Sequence, residues 1–303
     1  MRRAQWRAVR LLTVGLTVGL LFIVAAQLKV GREQSVDDSA LAESIRALSE
    51  KEVLIQLEHV LSPSRELAQC RSIIYPGGKC QCVDASPNDE ESCTMLPILD
   101  GKKTVCLDDG LLPPGGPCLV YSFGIRDDLS FETEMVRFGC TVHAFDPTVR
   151  LNTSALPDGL NVHYLGVDGR SWTHHSGGMA MQLMTLTDLV RHLGHEGRQI
   201  DYIKLDAEGS EWSILNEQLT SLHGVLPRVP QLHVEFHLLF PHGTLSADPG
   251  KKFSLQPDDA VRFLHTIRRL EAAGFRMFES RPDFGKLTGT AISLIYETTW
   301  IRK

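Results

Sequence analysis

The sequence predicts an α/β domain around a mostly parallel, seven-stranded sheet that closes with an antiparallel hairpin. Three observations predict it. The 303 residues are 43% hydrophobic and 22% charged, enough for one large core with segments to spare. From Cys118 onward, short apolar runs alternate with helical stretches, the pattern of parallel strands covered by helices on both faces. The last two runs have no helix between them, only a turn around Pro282-Asp283-Phe284-Gly285, which implies the hairpin.

Taken in order, residues 1–10 read as a short cytoplasmic tail carrying Arg2, Arg3, Arg7 and Arg10. Residues 11–28 are uncharged and long enough to span a bilayer as a helix. Arginines on the near side keep that end in the cytoplasm, so the expectation is a single-pass type II signal-anchor with the body in the lumen of the endomembrane system. The alternative is a cleaved signal peptide and a secreted protein, for which Ala25-Ala26 offers a cleavage site, although such apolar regions are usually shorter. Past residue 28, 27 basic residues face 37 acidic ones, a balance of −10. A body that acidic argues against nucleic acid as partner.

Residues 29–68 read as a stem helix. Ser39 can cap it, Leu41, Ile45 and Leu48 recur at helical spacing, Leu54, Leu57 and Leu61 continue the set, and Pro63 ends it. Its apolar side packs on the body or pairs with a second copy in a homodimer. Residues 69–116 form a connector rich in Gly, Pro and Asp, with Cys70, Cys80, Cys82, Cys93 and Cys106. In an oxidising compartment this reads as a disulfide-stapled segment, and the spacing matches no common zinc pattern. Cys118 and Cys140 fall in predicted strands and read as plain core residues. Asn152-Thr153-Ser154 is an N-glycosylation sequon.

Residues 117–303 form the main domain. Strands are expected at Cys118–Ser122, Thr141–Phe145, Val162–Gly166, Tyr202–Leu205, Gln231–Phe236, Arg276–Glu279 and Ala291–Tyr296. Helices are expected at Ser130–Phe138, Leu183–Leu193, Trp212–Leu219 and Asp258–Ala273. His174-His175 before Gly177-Gly178 read as part of a loop that could cover a site.

The segment Asp201-Tyr202-Ile203-Lys204-Leu205-Asp206-Ala207-Glu208-Gly209-Ser210-Glu211 resembles the D-x-I-K-x-D-x-E-G-x-E signature of FkbM-type methyltransferases. Thr185-Leu186-Thr187-Asp188-Leu189 and Val234-Glu235-Phe236-His237 resemble that family's flanking segments. Tyr121-Ser122-Phe123-Gly124-Ile125 and Ala144-Phe145-Asp146-Pro147-Thr148 resemble its methyltransferase-like protein 24 branch. The resemblance covers roughly residues 100–300 and implies a Rossmann-like sheet with S-adenosylmethionine as cofactor.

In such sheets the cofactor lies across the carboxyl ends of the strands, where strand order reverses. The first strand ends in Phe123-Gly124, where a glycine lets backbone approach a ligand. Glu132 and Glu134 suit the first turn of the helix that follows. Asp146, 22 residues past Gly124, is placed to accept both ribose hydroxyls. Asp168 after the third strand is the adenine candidate or an ordinary turn residue. The candidate catalytic residues are Asp206, Glu235 and His237, with His237 as base because an imidazole titrates near neutrality. A metal reading would use Asp206, Glu208, Glu235 and His237 as ligands.

The expected activity is O-methylation of a small molecule, lipid or glycan. One alternative is a catalytically silent binding module, since the glycine loop holds a single glycine. A glycosyltransferase ranks last, because Asp206-Ala207-Glu208 sits inside the methyltransferase-like signature.

Overall fold

The computed structural model describes residues 38–62, 68–78, 80–82, 95–97, 101–108, 110–112, 117–176, 178–238, 255–283 and 285–302. The chain divides into two compact units, Met1–Ser49 and Glu50–Lys303. In the first, residues 38–46 form helix α1. The expected anchor at 11–28 lies outside the described residues, among which no helix is long and apolar enough to cross a membrane.

The second unit begins with α2 (Glu50–Leu61), followed by the short strands β1 (Ile73–Ile74), β2 (Cys80–Cys82), β3 (Met95–Pro97) and β4 (Val105–Cys106). Then come β5 (Cys118–Phe123), α3 (Ser130–Phe138), β6 (Cys140–Phe145), β7 (Leu160–His163), β8 (Gly166–Val167), β9 (Trp172–Ser176) and β10 (Met179–Met184). The chain continues through α4 (Leu186–His192), β11 (Tyr202–Leu205), α5 (Glu211–Thr220), β12 (Gln231–His237), α6 (Pro257–Ala272), β13 (Phe275–Pro282) and β14 (Ile295–Arg302).

The main sheet has seven strands in the order β13-β14-β12-β11-β5-β6-β7. β7, β6, β5, β11 and β12 run parallel, and β14 runs antiparallel to both β12 and β13. Strand order therefore reverses between β5 and β11, which opens a crevice at their carboxyl ends. Each element has a local cause. α3 stops at Gly139, whose φ of 114° lets its N–H cap Val136 and Met135 carbonyls. α4 starts late because Thr185 Oγ1 accepts from Asp188 N–H at 3.1 Å. α6 starts on Pro257, with Asp258 and Asp259 in its first turn.

Three expectations change. The stem is not one helix, since residues 47–49 leave the helical path between α1 and α2. α2 buries Val53, Leu57, Val60 and Leu61 and packs on α6, the packing on the body expected of this face. Cys118 and Cys140 are not plain core residues. β5 and β6 are neighbours with these two in register, 4.4 Å between Cα atoms, and they form a disulfide. The His174-His175 stretch is not a loop but the β9–β10 hairpin, joined by β8 in a small sheet beyond the end of β7.

The connector is disulfide-stapled as expected, through Cys70–Cys106. It is also part of the core. Gln231 at the start of β12 bonds both backbone groups of Cys106, and Tyr202 Oη donates to the Thr104 carbonyl at 2.9 Å. These ties carry Lys103 beneath the sheet, where it is 2% exposed.

Candidate active site at the carboxyl edge of the sheet

Register brings the site together. Leu205 pairs with Phe123 on one side and Val234 on the other, so Gly124, Asp206 and Glu235 come next on three adjacent strands. Gly124 holds φ +73°, and a Cβ there would meet the Asp206 carbonyl oxygen at 1.9 Å. Close backbone approach is thus what this glycine allows, as expected, but the partner is the end of β11. Lys204 fastens the same corner. Its buried ammonium donates to the carbonyls of Phe123 (3.1 Å) and Gly124 (2.6 Å) and lies 3.7 Å from Asp206. Glu208, at φ +50°, and Arg126, at φ +47°, hold left-handed conformations at this edge, the kind of strain that gathers at functional sites.

His237 sits at the end of β12, 2% exposed, among acids. Its Nδ1 meets Glu211 Oε1 at 3.2 Å, while Nε2 lies 3.5 Å from Glu235 and 3.6 Å from Glu208. Burial pulls its pKa down. The hydrogen bond and charge of Glu211, with Glu235 and Asp206, overcome this and lift it to about 9. The carboxylates around it therefore favour the protonated ring, whereas the expected role as base needs the neutral one.

Glu235 moves in the direction a base needs. Burial, then the charges of Asp206 and Glu297, push its pKa well above the usual carboxylate range, against Lys103 and His237. Lys103 Nζ stands 3.5 Å from Glu235 and bonds Glu297 Oε1 at 2.5 Å. Glu297 also bonds His233 Nε2, and the contacts with His233 and Lys103 hold it far below its ordinary range despite burial, while burial holds His233 itself below the usual imidazole range. Nothing in the local sequence around Lys103 or Glu297 marks them. Glu211 is the acid of the signature that closes the loop. It accepts from the N–H groups of Ala207 (2.6 Å) and Gly209 (3.2 Å) with one oxygen, and from Gly209 again with the other.

Asp146 stands at the end of β6, but its Oδ1 already accepts from Thr148 N–H (2.8 Å) and Oγ1 (2.6 Å), and its Oδ2 from Arg126 N–H (2.9 Å). A carboxylate offers about four lone pairs, so there is room for one ribose hydroxyl and not for both. Phe123 faces away from the crevice, with its ring stacked on Phe145 at 4.7 Å, and only its backbone borders the site. Asp168 is engaged with Ser213 Oγ (2.6 Å), Trp172 Nε1 (2.8 Å) and Gly169 N–H (2.7 Å), which ties the β9–β10 hairpin to α5 and accounts for it as a turn and clamp residue.

Among the described residues, the acid and imidazole atoms of Asp206, Glu211 and His237 lie within 4.8 Å of one another, so Glu211 takes the place that the expected set gave to Glu208 and Glu235, which approach His237 Nε2 at 3.6 and 3.5 Å. Asn152 is exposed on a surface turn, as a glycosylation acceptor must be.

The donor set suits a nucleoside cofactor with a cationic centre: a glycine corner, a carboxylate at the end of β6, and an acidic end to β11 and β12. A methyltransferase-domain family model matches residues 92–295. "Probable methyltransferase-like protein 24" of Rattus norvegicus is 31% identical over 245 residues, 77% of this chain and 63% of that protein. The protein of the same name from Homo sapiens is 32% identical over 194 residues, 60% of this chain and 49% of its own. The chain thus spans between about half and two thirds of these relatives. An S-adenosylmethionine dependent methyltransferase from Mesorhizobium loti aligns at a TM-score of 0.34 and 12% identity, over 63% of this chain and 94% of that one.

Proposed function

The chain belongs to the methyltransferase-domain family, with S-adenosylmethionine as its cofactor, and from that premise we propose that it methylates a hydroxyl group using Glu235 as base. The observation that carries this reading is the placement of the Glu235 carboxyl beside Asp206 at the strand-order switch point, with Lys103 Nζ 3.5 Å away.

When bound, S-adenosylmethionine supplies a methyl group that is already activated. The protein must orient the acceptor and take its proton. Gly124 and Lys204 hold the β5 corner against Asp206, and Asp146 takes one ribose hydroxyl. Glu235 receives the acceptor's proton. It does so in its ionised form, whose share grows as pH rises through about 8, and Lys103 keeps it in place. His237 stays protonated throughout and balances the charge of Glu211, Glu208 and Asp206. The signature around Asp206 supports an FkbM-like O-methyl chemistry. The acceptor is a saccharide, lipid or small-molecule hydroxyl. The Cys70–Cys106 and Cys118–Cys140 disulfides support an oxidising compartment, which agrees with the N-terminal apolar segment and the exposed sequon.

The test uses methyl-labelled S-adenosylmethionine with a panel of saccharides, lipids and phenols. Glu235→Gln should lower turnover about 10²- to 10³-fold and remove the rise of rate with pH, while calorimetry shows unchanged cofactor affinity. Full turnover in that variant sinks the base assignment. A wild-type chain that binds no cofactor sinks the whole reading.

A further inference from the structure

Residues 70–78 lie as a strap along residues 101–108. Leu107 N–H donates to the Ser72 carbonyl at 2.8 Å, Ile73 and Ile74 pair with Cys106 and Val105, and Lys103 N–H donates to the Pro76 carbonyl at 3.0 Å. Both ends of the strap are fastened. At one, the Cys70–Cys106 disulfide closes a separation of 36 residues, and Asp108 accepts from the N–H groups of Arg71 and Ser72 at 3.0 Å. At the other, Gly77 N–H donates to Glu134 and Gly78 N–H to Ser130 Oγ, both on α3.

The strapped segment delivers Lys103 to the site. Its ammonium bonds Glu297 Oε1 and stands 3.5 Å from Glu235 Oε2. A buried cation is costly unless it is paired, so the segment must hold this one where both acids can reach it. Tyr202 and Gln231 bond the backbone of Thr104 and Cys106 to the main sheet. The N–H of Lys103 itself is held by Pro76, which belongs to the strap. A cross-link of this span suppresses opening on the order of 10²-fold. Without it the strap loosens at Pro76, while Thr104 and Cys106 stay on the sheet.

We propose that Lys103 is a positioning residue of methyl transfer and that the Cys70–Cys106 disulfide holds it beside Glu235. The inference rests on the methyltransferase reading and makes a covalent bond outside the main sheet part of that site. A dithiol reductant gives the bond two electrons and two protons, leaves two thiols, and becomes a disulfide itself. The cation then withdraws, and Glu235 loses its fixed position against the acceptor.

The test uses the full chain with Cys70→Ser, a change at the half-buried partner of the bond. It reads hydrogen exchange by residue, S-adenosylhomocysteine affinity by calorimetry, and turnover of methyl-labelled S-adenosylmethionine with the acceptor panel above. The Lys103 amide should exchange on the order of 10²-fold faster, while the amides of Ile203 and Lys204 in β11 keep their rates. S-adenosylhomocysteine affinity should stay within about twofold, and kcat should fall about tenfold. Combined with Glu235→Gln, the same change should alter the residual turnover by less than about twofold, since Lys103 acts through that carboxylate. Unchanged exchange at Lys103 overturns the proposal. Faster exchange throughout β11 with loss of S-adenosylhomocysteine binding also overturns it, because the bond then supports the whole fold. Equal fold-losses of turnover with and without Glu235 overturn the positioning role. If the variant does not fold, the wild type treated with a dithiol, with Cys118–Cys140 shown intact by alkylation, decides by the same exchange and binding readings. A wild type that binds no S-adenosylhomocysteine refutes the methyltransferase reading, whereas exchange at Lys103 judges the strap by itself.

Discussion

Two groups of imidazoles, one at the end of β12 and one beside β6 and β7, feel burial in the same direction. At the end of β12, His237 meets Glu211, Glu235 and Glu208, and its pKa rises. On β6 and β7, His143 Nδ1 and His163 Nε2 are 2.9 Å apart, with the rings stacked. His195 stands edge-on to His143 and bonds Tyr121 Oη at 2.7 Å. There burial is joined by neighbouring imidazoles and Arg198, and the pKa of His143 falls to about 4. His163 and His195 shift the same way. The difference teaches that several acids can outweigh burial, as around His237, whereas the single Glu297 beside fully buried His233 does not. Acids gathered at the carboxyl edge make a site there, while the outer strands hold a neutral aromatic stack.

The contrast breaks most visibly through Lys103. Lys103→Met leaves Glu297 and Glu235 facing one another with one cation fewer, and should cost about 3–5 kcal/mol in urea denaturation. His143→Phe loses one neutral hydrogen bond and should cost about 1 kcal/mol. Similar losses in the two variants would end the distinction.

The next effect is opposite pH dependence at the two sites. The folded pKa of His237 lies above its unfolded value of 6.5, so its contribution is full below about 6.5 and is lost as pH rises through about 9, on the order of 2–3 kcal/mol. His237→Gln should flatten that alkaline limb. For His143 the folded value lies below the unfolded one, so its contribution is present above about 6.5 and is lost as pH falls towards about 4, on the order of 1–2 kcal/mol. Stability measured from pH 4 to 10 shows both limbs, and a flat profile contradicts both assignments.

The smallest effect separates two glycines with nearly the same φ. Gly124→Ala forces a Cβ into the Asp206 carbonyl and should cost over about 2 kcal/mol, along with cofactor affinity. Gly178, at φ +80° in the hairpin turn, has nothing within 4 Å of such a Cβ, so alanine there should cost only about 1 kcal/mol. Equal costs would remove the reason given for Gly124.

Much of this was legible in the sequence. Tyr202–Leu205 and Ser130–Phe138 have the bounds their patterns predict, because one is a short run of large, mostly apolar residues and the other ends at a glycine cap. The last strand was misplaced, from 291–296 to Ile295–Arg302. Glu297 and Thr299 look like solvent-facing residues, yet they are buried against Lys103 and His233. The β9–β10 hairpin went unseen because its strands are half-exposed and lack a clean alternation.

The sequence by itself determined the strand and helix order of the main sheet and that Gly124, Asp146, Asp206 and His237 fall at or just past the ends of their strands. Those features depend on neighbours close in the chain. Tertiary structure alone decided that Glu208, Glu211 and Glu235 gather around His237, that Lys103 and Glu297 lie buried beside Glu235, and that Cys118 meets Cys140. Each of those depends on groups tens to hundreds of residues apart, whose charges and distances exist only once the strands lie side by side.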